Sequence, residues 1–80
     1  MIEKRASYRH RVLKQGTIAF RGGGKIDCVV RNISPGGARL EVATPFGLHG
    51  SFALVIPTDH FRRNCRAVWN IDKGVGVAFT

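Results

Sequence analysis

Two short stretches carry side chains suited to gripping an anion. The first, Lys4-Arg5-Ala6-Ser7-Tyr8-Arg9-His10-Arg11, holds four Lys/Arg cations in eight residues and sets Arg5 and Arg9 in an R-x-x-x-R arrangement. Guanidinium groups suit phosphate because their planar forks donate paired hydrogen bonds, and they also stack on flat aromatic surfaces such as purines. The second, Asn32-Ile33-Ser34-Pro35-Gly36-Gly37, gathers an amide, a hydroxyl and two glycines. Glycines let a ligand approach the backbone closely. Their N–H groups, with the Asn32 amide and the Ser34 hydroxyl, could cradle a phosphate or read a base edge. Each stretch alone also has an ordinary reading. A basic arm can be a solvated arm. Asn, Ser and Pro35 with Gly36 at a position of positive φ make a sufficient reversal between two strands.

Other chemistries find little support. His10, His49 and His60 fall on the arm and in loops, and none is spaced with Cys, Asp or Glu as metal ligands are. The five acids are few and scattered, and no nucleophile and base can be paired by spacing, so an enzyme is not expected. Gly22-Gly23-Gly24-Lys25 is followed by Ile26 rather than Ser or Thr, so it reads as a hairpin connection rather than a phosphate loop. Asn32-Ile33-Ser34 matches a glycosylation sequon, but Pro35 follows and nothing indicates secretion. Cys28 and Cys65 lie in alternating apolar runs and read as buried free thiols.

The elements that must position these residues are strands. No segment holds a helical period over ten residues, and turn signals recur about every ten residues. Val12–Phe20 is a first strand, 26–33 a second, 38–42 a third, 51–57 a fourth, 65–71 a fifth and 75–80 a sixth. Alternation turns Ile26, Cys28 and Val30 to one face, then Ala38, Leu40 and Val42, then Phe52, Leu54 and Ile56. It places Cys65, Ala67 and Trp69 inward on the fifth strand, and Val75, Val77 and Phe79 on the sixth. The polar run from Thr58 to Asn64 reads as a loop. Six short strands in this rhythm predict an all-β barrel or closed sandwich, which also removes exposed edges. Residues 1–11 form a flexible basic arm and residues 12–80 the barrel.

Thirteen Lys and Arg stand against five acids, giving +8 in 80 residues. Such a surplus fits an anionic partner: nucleic acid, a nucleotide or an anionic membrane surface. No apolar run reaches the length of a signal peptide or membrane span, so a cytoplasmic protein without membrane insertion is expected. Exposed aromatics on strand faces, which a nucleic-acid-binding barrel would use, are wanting, Tyr8 excepted. No DNA or RNA partner is expected.

Taken together, Arg5-x-x-x-Arg9 on an N-terminal arm, a strand pair, and Asn32-x-Ser34-x-x-Gly37 resemble the PilZ domain. "CRAVW", a short turn and "GVGVAF" look like that family's closing strands, so the resemblance covers essentially the whole chain. It implies a six-stranded antiparallel barrel, bacterial second-messenger signalling, and cyclic di-GMP as ligand with no cofactor. By position, Arg5 and Arg9 would contact phosphates and guanine, with Asn32, Ser34, Gly36 and Gly37 beneath the ligand. Arg39 and Arg66, outward by alternation, are auxiliary candidates. Arg11 is a third, because Arg9 is followed by His10 and Arg11 before Val12, whereas many members place the second arginine directly before the strand. The family's frequent C-terminal helix is not expected after the sixth strand. The effector is then expected to be a separate protein, with self-association through an open barrel end as an option. The alternative within the resemblance is a PilZ-like adaptor that binds protein and not nucleotide.

Overall fold

The computed structural model describes residues 10–43, 48 and 50–80, and the side chains of residues 10 and 11 fall outside that description. Six strands follow in order: β1 (His10–Ala19), β2 (Lys25–Ser34), β3 (Gly37–Glu41), β4 (Ser51–Ile56), β5 (Phe61–Ile71) and β6 (Gly74–Phe79). They close into an antiparallel barrel in the order β1-β2-β3-β6-β5-β4, the last strand pairing with the first. The expected all-β barrel is therefore what forms, and β4 lies diametrically across from β3. β1 begins at His10, so the backbone of His10 and Arg11, assigned by sequence to the arm, belongs to a strand.

The period of two explains the core. Ile18, Val30, Leu40, Leu54, Ile56 and Val75 are at most 1% exposed, and Cys28 and Cys65 pack among them. Burying each of the large aliphatic side chains contributes about 1.5–3 kcal/mol. Both cysteines are free. Burial pushes both thiols up to about 11, Cys28 with a further contribution from the Asp27 charge. At one end of the barrel the Phe61 and Phe79 rings lie 5.6 Å apart, and the Arg63 guanidinium stands 4.9 Å from the centre of the Phe79 ring. At the other, Leu48 is buried and its carbonyl accepts from Asn70 Nδ2 at 3.2 Å.

Two elements depart from the sequence reading. The run Thr58–Asn64 is not a loop. Pro57–Asp59 form one 3₁₀ turn, His60 takes a left-handed φ of 53° and donates its N–H to Pro57 O at 3.1 Å, and β5 starts at once. Ile56 then pairs with Phe61, and Arg62 and Asn64 are exposed strand residues whose polarity imitates a loop. The second departure is Trp69. A β-bulge between Ala67 and Trp69 inserts one residue against β6, so the alternation that points Cys65 and Ala67 inward reverses. Trp69 lies on the outer face, 36% exposed, with Val68 and Ile71 also exposed at 62% and 65%.

Candidate functional site

The β3–β6 pairing brings the second motif into a row that the chain order hides. Arg11 pairs with Asn32 across β1–β2, Asn32 with Arg39 across β2–β3, Arg39 with Gly76 across β3–β6, and Gly76 with Trp69 across β6–β5. Directly paired residues share a face, so one line of five strands runs over the barrel's outside, about 4.8 Å per step. The next line outward on the same face runs Ser34, Gly37, Ala78, Arg66. Arg39 and Arg66 are both exposed on this face, and Arg66 stands two strands from Gly37. Arg5 and Arg9 lie outside the described residues, and of Arg11 only the backbone position opposite Asn32 is described.

Each member of the 32–37 motif has a distinct local role. The Oδ1 atom of Asn32 is shut off from solvent and has no hydrogen-bond partner among the described residues. A buried orphan acceptor costs about 1–3 kcal/mol, so this oxygen favours an incoming N–H donor. The Ser34 hydroxyl donates to Gly37 O at 3.3 Å and so helps close its own turn. Gly37 is demanded by packing: a Cβ there would run into the carbonyl oxygen of Val77 on β6. Gly36 is not in the positive-φ region, contrary to the sequence reading, because the turn closes without a left-handed residue. A Cβ on Gly36 would meet nothing within 4 Å, while its carbonyl accepts from Phe79 N at 2.9 Å. Gly36 thus presents bare backbone to solvent from an anchored position.

At the far end of the row the Trp69 indole lies flat on β6. A Cβ on Gly76 would fall on the indole nitrogen, and one on Gly74 would come 3.4 Å from ring carbon Cζ3. Sequence reading placed this ring in the core. The signal that could have corrected it is the alternate pair Gly74 and Gly76 on β6, a bare stripe that a neighbouring aromatic covers. The ring separates two hollows. One of about 310 Å³ is lined by Ser34, Gly36, Gly37 and Val68 among others. The other, about 530 Å³, is lined by Arg39, Glu41, Ile71, Asp72 and Lys73 among others. A third, about 330 Å³, lies between Val12, Arg31, Asn32 and Arg39.

Arg31, Arg39, Arg66 and Lys73 outnumber Glu41 and Asp72 here and leave this face positive. Glu41 is engaged by Arg31 at 3.2 Å, an exposed pair worth at most ~1 kcal/mol. Arg39 forms no ion pair with a described acid. Among the described residues no group of three or more His, Cys, Asp or Glu could hold a metal ion. No helix among them is long and apolar enough to cross a membrane.

A closed six-stranded antiparallel barrel with these side chains on its outer surface defines a small β-barrel module. The sequence profile of the PilZ domain matches residues 3–80, and the chain belongs to the PilZ family. No curated protein matches the chain.

Proposed function

We propose that this PilZ domain is a receptor for cyclic di-GMP, bound on the outer face along the Arg11–Asn32–Arg39–Gly76–Trp69 row. The observation that carries the reading is the juxtaposition within that row. Among the described residues, an acceptor without a partner on Asn32, a guanidinium in no ion pair on Arg39 and the Trp69 indole lying over Gly76 follow one another along the sheet. The ligand supplies the complements: two phosphates for arginine, N–H donors on guanine for Asn32 Oδ1, and purine faces for Trp69. Gly36 offers backbone that a ligand can approach without meeting a side chain. Arg5 and Arg9 are assigned to the phosphates and guanines from above, with Arg11 and Arg66 auxiliary. Binding would order the cationic arm by neutralising it, and the altered face would signal to a separate effector protein in the bacterial cytoplasm, without catalysis.

Calorimetric titration with cyclic di-GMP tests this. Heat with saturation is expected, with a parallel change in emission from Trp69, the chain's single tryptophan. Arg39→Ala and Arg9→Ala should each weaken binding about 10- to 100-fold, the loss of a charge-assisted hydrogen bond. Absence of heat at about 100 μM ligand from a folded protein overturns the reading and favours an adaptor that binds protein alone.

A further inference from the structure

The face centred on β4, the strand opposite β3, carries a second cationic feature. β4 is flanked by β1 and β5, and on its outer side Ala19, Ala53 and Asn64 pair in one line across the three strands. The two small side chains leave a hollow of about 460 Å³ whose lining includes Arg21 and Arg62 with Ser51 and Asn64. Arg21 comes from the β1–β2 turn and Arg62 from β5, so two distant segments deliver charge to one hollow. Neither arginine forms an ion pair with a described acid, and no acidic side chain lines the hollow. Beyond Asn64, Arg66 pairs with Ser51 and prolongs the cationic line.

We propose that this β1–β4–β5 face docks an extended acidic segment of a protein partner. The spacing selects that occupant. Arg62, Asn64 and Arg66 alternate onto one face of β5, which puts the two arginines about 13 Å apart at ~3.3 Å per residue. An extended segment lying along β5 repeats that spacing between residues i and i+4, so two acids four apart meet both arginines while a polar residue between them faces Asn64. A lone phosphate reaches only one. The hollow is open and polar, and the backbone groups of its strands are committed to the barrel ladders, so recognition rests on side chains and favours carboxylates over a buried small molecule. The proposal does not rest on nucleotide binding, because the hollow with Arg21 and Arg62 lies apart from the Asn32–Trp69 row, and Arg66 alone borders both faces.

The test is amide chemical-shift mapping on the full chain at low salt, without nucleotide. The probe is the peptide acetyl-Thr-Glu-Val-Thr-Thr-Glu-Thr-amide. Its control is acetyl-Thr-Thr-Glu-Glu-Val-Thr-Thr-amide, of the same composition with adjacent acids. Shifts confined to Ala19, Arg21, Ser51–Ala53 and Arg62–Arg66 are expected, with the control about threefold weaker or worse. Arg62→Glu, or Arg21→Glu if the first variant loses its native spectrum, should weaken the probe about tenfold. The proposal is overturned by no shifts at about 1 mM probe, by shifts spread over all basic surfaces, by a control that binds equally, or by inorganic phosphate or oligothymidylate moving the same amides as strongly.

Discussion

Gly36 and Gly37 are adjacent, chemically identical and, from the structure, opposite in consequence. A Cβ on Gly37 would overlap the Val77 carbonyl oxygen and also approach the Val77 carbonyl carbon at 3.3 Å and Ala78 Cα at 3.4 Å. All three are backbone atoms of the strand with which Gly37 pairs, so no side chain can swing aside. Relief requires β3 to move off β6, which also strains the 2.9 Å bond from Phe79 N to Gly36 O. Overpacking of this kind costs about 1–3 kcal/mol, and a weakened hydrogen bond adds about 1 kcal/mol. Gly37→Ala should therefore lose about 2–4 kcal/mol, a large share of a stability on the order of 4–12 kcal/mol for a domain this size. At about 4–8 °C per kcal/mol, its Tm should fall by roughly 8–32 °C. Gly36→Ala meets open space at a φ that alanine tolerates, so it should be neutral or stabilise by about 0.4–1 kcal/mol through the unfolded chain. Urea titration followed by circular dichroism measures both. A Gly37→Ala protein within about 0.5 kcal/mol of wild type, or a Gly36→Ala protein destabilised by more than about 1 kcal/mol, refutes the packing account. If Gly36→Ala folds as expected, its cyclic di-GMP titration reports ligand approach to the turn without a folding contribution.

Asn32→Ala removes an orphan acceptor, so thermal unfolding should show unchanged or higher stability, by up to about 1–2 kcal/mol, while calorimetry shows weaker ligand binding. Burial pushes both thiols up to about 11 in the fold, from about 9.0 when exposed, so this contribution to stability is full below about pH 9 and is lost as pH rises toward 11. A disulfide reagent at pH 8 should therefore label neither Cys28 nor Cys65 in native protein and both after denaturation, and Cys→Ala variants should flatten the alkaline loss of stability.

The barrel was legible wherever one face meets the core and the other meets water. Ala38, Leu40 and Val42 on one side with Arg39 and Glu41 on the other define β3 without knowledge of its neighbours. Legibility ended where the period of two is broken or where polarity stands for something other than a loop. The bulge at Ala67–Trp69 turns an indole outward, and a single chain carries no local mark of a bulge except the glycines that answer it on β6. The Arg62–Asn64 run is polar because its face is wet or at the barrel mouth, yet its backbone is laddered to β4. The 32–37 motif was readable as a unit, whereas the juxtaposition of Asn32, Arg39 and Trp69 depends on register between strands distant in sequence. The negative φ of Gly36 was missed because Pro-Gly permits turns of either kind.

The five positions of the Arg11–Trp69 row come from five strands, and no two of them are closer than seven positions in the chain. No hairpin or local fragment contains the row, so it is assembled only when the long-range β3–β6 pairing joins the N-terminal strands to the C-terminal ones. A ligand of this face would have negligible affinity for the unfolded ensemble, and its whole binding free energy would appear as native-state stability, about 2.7 kcal/mol at a hundredfold excess over Kd. For a domain this small, the messenger would act as a folding ligand as well as a signal. The amount of receptor that survives proteolysis in a cell would then rise and fall with the signal it reads.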